Sequence, residues 1–190
     1  MKWSALRHMA IMLFVVIALP AAAFENPLDR GPLADFLNLF RQQAIPRQLV
    51  VWKHPEYKEG TIVVSTKERR LYYVLSKDRA YEYGVGVGRE GFSWSGTKTV
   101  TRKREWPDWR PPPQMLKRRP DLPKHMPGGM DNPLGARALY LGSSNYRIHG
   151  SNEPDTIGAA VSSGCIRMTN KDIEDLYNRV KVGTKVVVLK

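Results

Sequence analysis

The chain has one cysteine, Cys165, in 190 residues. A single cysteine cannot close a disulfide within its own chain, so a fold stapled by disulfides is excluded. Long apolar runs are missing too. The longest, "AIMLFVVIAL" at 10–19, falls short of the ~20 residues that a membrane-spanning helix needs. Acidic residues are scarce, 18 against 30 basic ones, for a formal charge of +12. Internal repeats and low-complexity tracts are absent, which removes solenoids and disordered arrays. The four histidines and the cysteine show no helix-face or knuckle spacing, so the pattern offers no metal site, and no cofactor is expected.

What is present begins with a leader. Lys2 and Arg7 precede the apolar run, and "PAAAFE" with Ala21-Ala22-Ala23 follows it. That is the pattern of a secretory signal peptide spanning 1–23, cut before Phe24. An uncleaved anchor is the competing reading. No cysteine follows the run, which argues against a lipid anchor. Export gives the free thiol significance, because an unpaired cysteine is a liability in an oxidising compartment. Without Lys2 and Arg7 the chain still carries +10. An exported basic protein rarely meets nucleic acid; anionic envelope polymers and membrane surfaces are the better partners. The basic residues are dispersed rather than gathered into one stripe.

The rest reads as mainly β with one or two short helices. Residues 24–57 form a lead-in with a short amphipathic helix, "LADFLNLFRQQA" (33–44), in which Leu33, Phe36, Leu37 and Phe40 share a face. "TIVVSTKERRLYYVL" (61–75) is a hairpin around Thr66–Arg69, "AYEYGVGVG" (80–88) continues the sheet, and "GTKVVVL" (183–189) is a last strand. "TNKDIEDLYNRVKV" (169–182) is a helix capped by Thr169 or Asn170, stopped by Gly183, burying Ile173, Leu176, Tyr177 and Val180. Eight of the fourteen prolines fall between Pro107 and Pro133, together with Trp106 and Trp109. Proline spoils helix interiors and ladders, so roughly 97–134 reads as a long ordered loop, of the kind that forms lids and binding walls.

"GVGREG" (86–91) matches the dinucleotide fingerprint literally. The "FSWSGT" after it cannot open a helix, so its glycines serve a turn or bulge. The chemistry concentrates at 146–170. "YRIH" ends a strand that projects His149, Gly150 lets the chain turn, and Cys165 follows sixteen residues after the histidine. A thiol titrates at about 8.5 and needs a base to become a nucleophile near neutrality. Gly164 allows successive N–H groups to converge into an oxyanion hole. No obvious Asp or Asn completes a triad in sequence; a backbone carbonyl, most simply that of Gly150, is one candidate to orient the imidazole. A buried structural cysteine beside an unrelated histidine remains the alternative on residues alone.

"IHGSNEPDTIGAAVSSGCIRMTN" (148–170) resembles the catalytic segment of the L,D-transpeptidases with the YkuD-type domain: a His-Gly, then Ser-x-Gly-Cys and an apolar residue followed by Arg or Asn. "GTIVVSTKERRLYYV", "GVGVGREGFSWSGT", "KREWPDWRPP" and "NPLGARALYL" extend the resemblance over 58–190, toward the periplasmic Gram-negative branch. The resemblance implies a β-sandwich or barrel-like sheet with a Pro/Trp-rich loop. It implies Cys165 as nucleophile, His149 as base, the Gly150 carbonyl as its holder, and the N–H groups of Gly164 and Cys165 for the oxyanion. Arg167 takes a supporting or carboxylate-binding place. Many relatives carry His where this chain has Ser163, so Ser163 is given no chemical step and counts, with Trp106 and Trp109, as a candidate substrate contact. The implied reaction is acyl transfer on peptidoglycan stem peptides in the periplasm. The acceptor is a diaminopimelate amine, an outer-membrane protein or water. A hydrolase of the same family and a non-catalytic wall-binding module are the alternatives.

Overall fold

A computed structural model describes residues 45–190. The leader at 1–23 and the amphipathic stretch at 33–44 lie outside the described residues. Eleven strands are present: β1 (Gln48–Val51), β2 (Ile62–Ser65), β3 (Arg70–Val74), β4 (Arg79–Gly84), β5 (Val87–Gly88), β6 (Gly96–Glu105), β7 (Arg137–Leu141), β8 (Arg147–His149), β9 (Ala160–Ser162), β10 (Ile166–Arg167) and β11 (Lys185–Leu189). Among the described residues two helices, α1 (Pro113–Arg118) and α2 (Asn170–Arg179), complete them, with a 3-10 turn at Pro154–Thr156.

Nine strands form one open sheet in the order β1-β4-β3-β2-β11-β6-β7-β8-β10. It is not a closed barrel. The hairpin at 61–75 is present in the expected register, with Ser65 opposite Arg70. β11 runs parallel to β2 and antiparallel to β6, so the C-terminal strand sits mid-sheet. β1 pairs with β4; the sheet thus begins ahead of the boundary at 58 that the sequence pattern suggests. β6 joins the two halves. Its first residues pair with β11 and its last with β7, with a register shift between Val100 and Arg102. Such a shift bends a strand and raises its twist. The halves therefore share one core: Ile62, Val64, Leu71 and Tyr83 from one meet Leu139, Leu141, Ile148 and Ile166 from the other, closed by Met168, Ile173, Leu176 and Val180.

One sequence expectation is overturned here. Residues 97–105 are not loop but most of the longest strand. The prolines begin only at Pro107, and "GTKTVTRKRE" keeps every N–H that a ladder needs. α1 also lies within the expected loop; Pro113 opens it, where a missing N–H costs nothing. The remainder of 106–134 is an ordered strap. Trp109 and Met126 exchange both backbone hydrogen bonds at 2.9 Å. Buried Asn132 anchors the strap: its Nδ2 lies within hydrogen-bond distance of the carbonyls of Pro107 (3.1 Å), Met126 (3.2 Å) and Pro127 (2.9 Å), and its Oδ1 accepts from Leu134 N–H.

α2 follows its sequence signals. The Thr169 hydroxyl accepts from the Asp172 N–H as N-cap, and Ile173, Leu176 and Val180 are fully covered. Its C-terminal end is closed from outside. Lys103, on β6, donates to the carbonyls of Tyr177 and Val180 at 2.6 Å each and lies 4.0 Å over the Tyr177 ring. These carbonyls lack helical partners, and a cation also suits the negative end of the helix dipole. Burial lowers the Lys103 ammonium below its ordinary value. Lys103→Met keeps the stem and removes the charge and donors. It is expected to cost about 1–2 kcal/mol, read as a shift in the urea midpoint with an unchanged slope.

Candidate active site

Cys165 sits between β9 and β10, in the bend that β10 makes as it lies down beside β8. The pairing is parallel, Ile166 opposite Ile148 and Arg167 opposite His149. Met168 N–H donates to the His149 carbonyl at 2.8 Å and continues the register. The cysteine thus arrives one residue before the first pair, alongside Arg147. Gly164 has φ +105, and a Cβ there would lie 2.6 Å from the Tyr146 ring. Only glycine fits both the conformation and the space.

Three groups hold this bend. The Ser162 hydroxyl donates to the Cys165 carbonyl at 2.5 Å and accepts from the Gly164 N–H at 3.1 Å. Trp94 Nε1–H donates to the Gly164 carbonyl at 2.8 Å. Trp94 in turn stacks on Tyr146, centroids 4.6 Å apart and planes 13° from parallel. The Gly164 N–H is therefore already engaged by Ser162, which changes the oxyanion hole expected from the sequence. The Cys165 N–H finds no acceptor among the described residues.

His149 closes β8 and is buried. Its Nδ1–H donates to the Gly150 carbonyl at 2.6 Å. A carbonyl can only accept, so Nδ1 carries the hydrogen and a neutral ring presents Nε2 as a lone pair. The turn that supplies this carbonyl is tightly built. A Cβ on Gly150 would meet Asn170 Oδ1 at 2.3 Å, and one on Gly135 would meet the same atom at 2.2 Å. Asn170 Oδ1 accepts from the Ala136 N–H at 2.9 Å, so α2 clamps the β7 entry against the β8 exit.

Burial pushes His149 down from 6.5 to about 3, and the positive charges of Arg167 and Arg147 add to the effect. Burial raises the Cys165 thiol, opposed by Arg147 and Arg167. The resting pair is thiol and neutral imidazole, not thiolate and imidazolium. The thiol lies 3.7 Å from the Asn145 carbonyl.

Both side chains line one cavity of about 400 Å³, with Ser163, Arg167 and Trp109 on its walls. Trp109, Pro112, Met115 and Met126 bring the strap over it. Trp106 is not among them; it turns, with φ +41, toward a separate cavity. The Arg167 guanidinium is tied to Glu153 at 2.8 Å, which fixes the loop after Gly150. Among the described residues no three His, Cys, Asp or Glu side chains converge on a point.

The catalytic-domain model of the YkuD L,D-transpeptidases matches residues 59–188. The chain belongs to the L,D-transpeptidase family. A relative from Escherichia coli K12, probable L,D-transpeptidase ErfK/SrfK, is 40% identical over 87% of this chain and 55% of its own length. The chain thus spans about half the length of that curated relative. An L,D-transpeptidase structure from Mycobacterium smegmatis superposes with a TM-score of 0.57 at 18% identity, covering 70% of this chain and 59% of that one, which supports the fold. A Brucella melitensis structure called a probable carnitine operon oxidoreductase is 44% identical, TM-score 0.52, over 76% of this chain and 94% of its own. The glycine-rich "GVGREG" gives no support to a nucleotide-cofactor site. It forms β5 and a turn, with no helix opening at it.

Within this L,D-transpeptidase domain, sequence reasoning missed Trp94, Tyr146, Asn145, Arg147 and Asn170. Trp94 and Tyr146 are far apart in sequence, and no spacing rule joins them. The Asn170 side chain, on the first residue of α2, reads from sequence only as a possible cap.

Between His149's folded value of about 3 and its ordinary 6.5, the unfolded chain binds a proton that the folded chain refuses. Its contribution to stability is therefore complete above 6.5 and is lost as pH falls. Going from pH 6.5 to about 5, this one group removes about 2 kcal/mol. Chemical denaturation of His149→Gln at the two pH values is expected to show a smaller loss than the unaltered protein by that amount. Equal losses would show that His149 titrates normally.

Proposed function

We propose that the chain is a peptidoglycan L,D-transpeptidase, acting on stem peptides in the periplasm after removal of residues 1–23. The observation that carries the reading is the fixed tautomer of His149. With Nδ1–H spent on Gly150, Nε2 is left as the lone pair of the ring, and His149 and Cys165 are both residues of one cavity wall, which supports a base acting on the thiol. Family membership supplies the substrate class.

The steps follow from these groups. Cys165 Sγ attacks the carbonyl that links diaminopimelate to the terminal D-alanine, and its proton passes to His149 Nε2. The oxyanion meets the Cys165 N–H. Collapse breaks the C–N bond, the imidazolium gives its proton to the departing D-alanine amine, and a thioester remains. An acceptor amine then attacks the thioester, His149 takes the amine proton, and the thiol is restored by that proton when the C–S bond breaks. Because the resting pair is neutral, the thiol must give up its proton to Nε2 before or as the sulfur attacks. The basic surround lowers the cost of negative charge on sulfur as it forms.

A diaminopimelate amine as acceptor gives a 3→3 cross-link; a lysine amine of an outer-membrane protein gives a wall tether; water gives trimming. Cys165→Ala is expected to abolish D-alanine release from disaccharide tetrapeptide, at least 10³-fold on the order of general nucleophile removals, with an unchanged circular dichroism spectrum. Retained release would end the assignment. A carbapenem carries a strained lactam carbonyl, and intact-protein mass spectrometry is expected to show its adduct on the unaltered chain and none on Cys165→Ala. Muropeptide analysis of treated sacculi then separates 3→3 dimers from trimmed stems.

A further inference from the structure

A second cavity lies next to the cysteine's. It has about 430 Å³ and is lined by Arg102, Arg104, Arg110 and Arg147 with Trp106 and Tyr140. Arg147 lines both cavities. The strap divides them: Trp109 faces the cysteine side, while Trp106, Asp108 and Arg110 face the other.

Strand register explains the gathering of charge. Arg102 stands opposite Tyr140, and Tyr140 opposite Arg147. Arg104 stands opposite Ala138, and Ala138 opposite His149. Residues opposite one another share a face, and so do residues two apart along a strand. The face that carries His149 therefore continues outward as a basic row. Tyr140 orients two of its members, with the Arg102 guanidinium 4.0 Å and the Arg147 guanidinium 5.2 Å from its ring.

The charge of this cavity is predominantly positive, with Arg102, Arg104, Arg110 and Arg147 set against Glu105 and Asp108. Its two carboxylates are engaged elsewhere, Glu105 with Arg137 at 3.3 Å and Asp108 with His125 at 3.1 Å. Among the described residues, no carboxylate comes within ion-pair distance of Arg102, Arg104, Arg110 or Arg147. Arg147 Nη1 donates to the Asn145 carbonyl at 3.2 Å. Its Nε is buried with no acceptor. Its side chain also reaches the Cys165 thiol, whose negative charge it favours, so Arg147 connects the two cavities. Planar guanidinium forks match carboxylates in particular.

We propose that this arginine-lined cavity seats the carboxylates of the acyl acceptor, so that an acceptor amine flanked by a carboxylate reaches the Cys165 thioester across Arg147. The inference rests on the transferase reading and names the acceptor class for it. Donor acylation on the strap side and acceptor recognition on the β6–β7 side are then separate functions of separate residues. An amine and a carboxylate on one carbon occur in free diaminopimelate and at the side-chain end of diaminopimelate in a peptidoglycan stem, whereas a lysine ε-amine has no carboxylate beside it.

The test uses the whole protein, disaccharide tetrapeptide as donor, and diaminopimelic acid or its diamide as acceptor. The unaltered chain is expected to use the acid about tenfold better than the diamide in kcat/KM, the size of one charge-assisted contact. The double variant Arg102→Ala/Arg104→Ala alters two exposed residues and is expected to use both acceptors equally. Its rate of thioester formation from donor is expected to be unchanged. Equal use of acid and diamide by the unaltered chain overturns the inference, and so does an undiminished preference in the variant. If the unaltered chain forms no thioester, the transferase reading itself falls, which is a different result from a thioester that ignores the acceptor's charge. Arg110→Ala, on the strap rather than the strand, gives an independent check and is expected to reduce the preference in the same direction.

Discussion

The two-residue parallel pairing of β10 on β8 is the constraint on which the site depends. It sets Ile166 beside Ile148 in the core and half-buried Arg167 beside buried His149 at the cavity. A slip of one residue would turn Ile166 out and Cys165 in. So short a ladder cannot hold register alone, and several contacts reinforce it. Arg167 exchanges backbone hydrogen bonds with Gly86 at 2.8 and 2.9 Å. Met168 extends the ladder to the His149 carbonyl and is fully buried. Thr169 then starts α2 directly, and Asn170 reaches back to the β7 entry. The helix is thus a brace for the turn that supplies the Gly150 carbonyl.

From that constraint the electrostatics follow. Placing His149 at the inner end of a strand buries it, and burial disfavours its cation. Arg147 and Arg167 flank it in the two paired strands and act in the same direction. The same arginines favour the thiolate of Cys165. One arrangement therefore keeps the base unprotonated and makes negative charge on sulfur less costly. A carboxylate beside the imidazole would do the opposite to the base, raising its affinity for a proton. The backbone carbonyl of Gly150 fixes the tautomer without adding a full charge.

Much of this was legible in the sequence, because local chemistry carried it. The hairpin at 61–75, the capped helix read over 169–182 and observed over Asn170–Arg179, and the strand ending at His149 each have their signals within a few residues. The family motif around Cys165 is equally local. What was not legible is what the fold assembles from distant segments. The Pro-rich stretch masks nearly all of β6 in the sequence, because 97–105 adjoins a segment whose prolines start only at Pro107. The stacking of Trp94 on Tyr146 and the hold of Ser162 on the Gly164 N–H depend on tertiary contact and on a single backbone turn. Basic residues that look dispersed along the chain converge through strand register, since Arg102, Arg104 and Arg147 come from β6 and β8 on either side of Tyr140.

The strand that joins the two halves of the sheet also joins the site to the rest of the molecule. β6 alternates in its second half: Lys103 points to the α2 terminus, while Arg102 and Arg104 share the face of His149. The same few residues thus close the helix that braces the Gly150 turn and supply the charge beside the cysteine cavity. Immediately after β6, Trp106 takes a left-handed conformation, its carbonyl so close to Gly128 that no Cβ fits there. That turn launches the strap across the cavity, and Asn132 ties its return. Strap position is therefore set at both ends by rigid elements, one strand end and one buried amide. Between those two anchors α1 has no buried residue, whereas the arginine row of β6 stands on paired sheet.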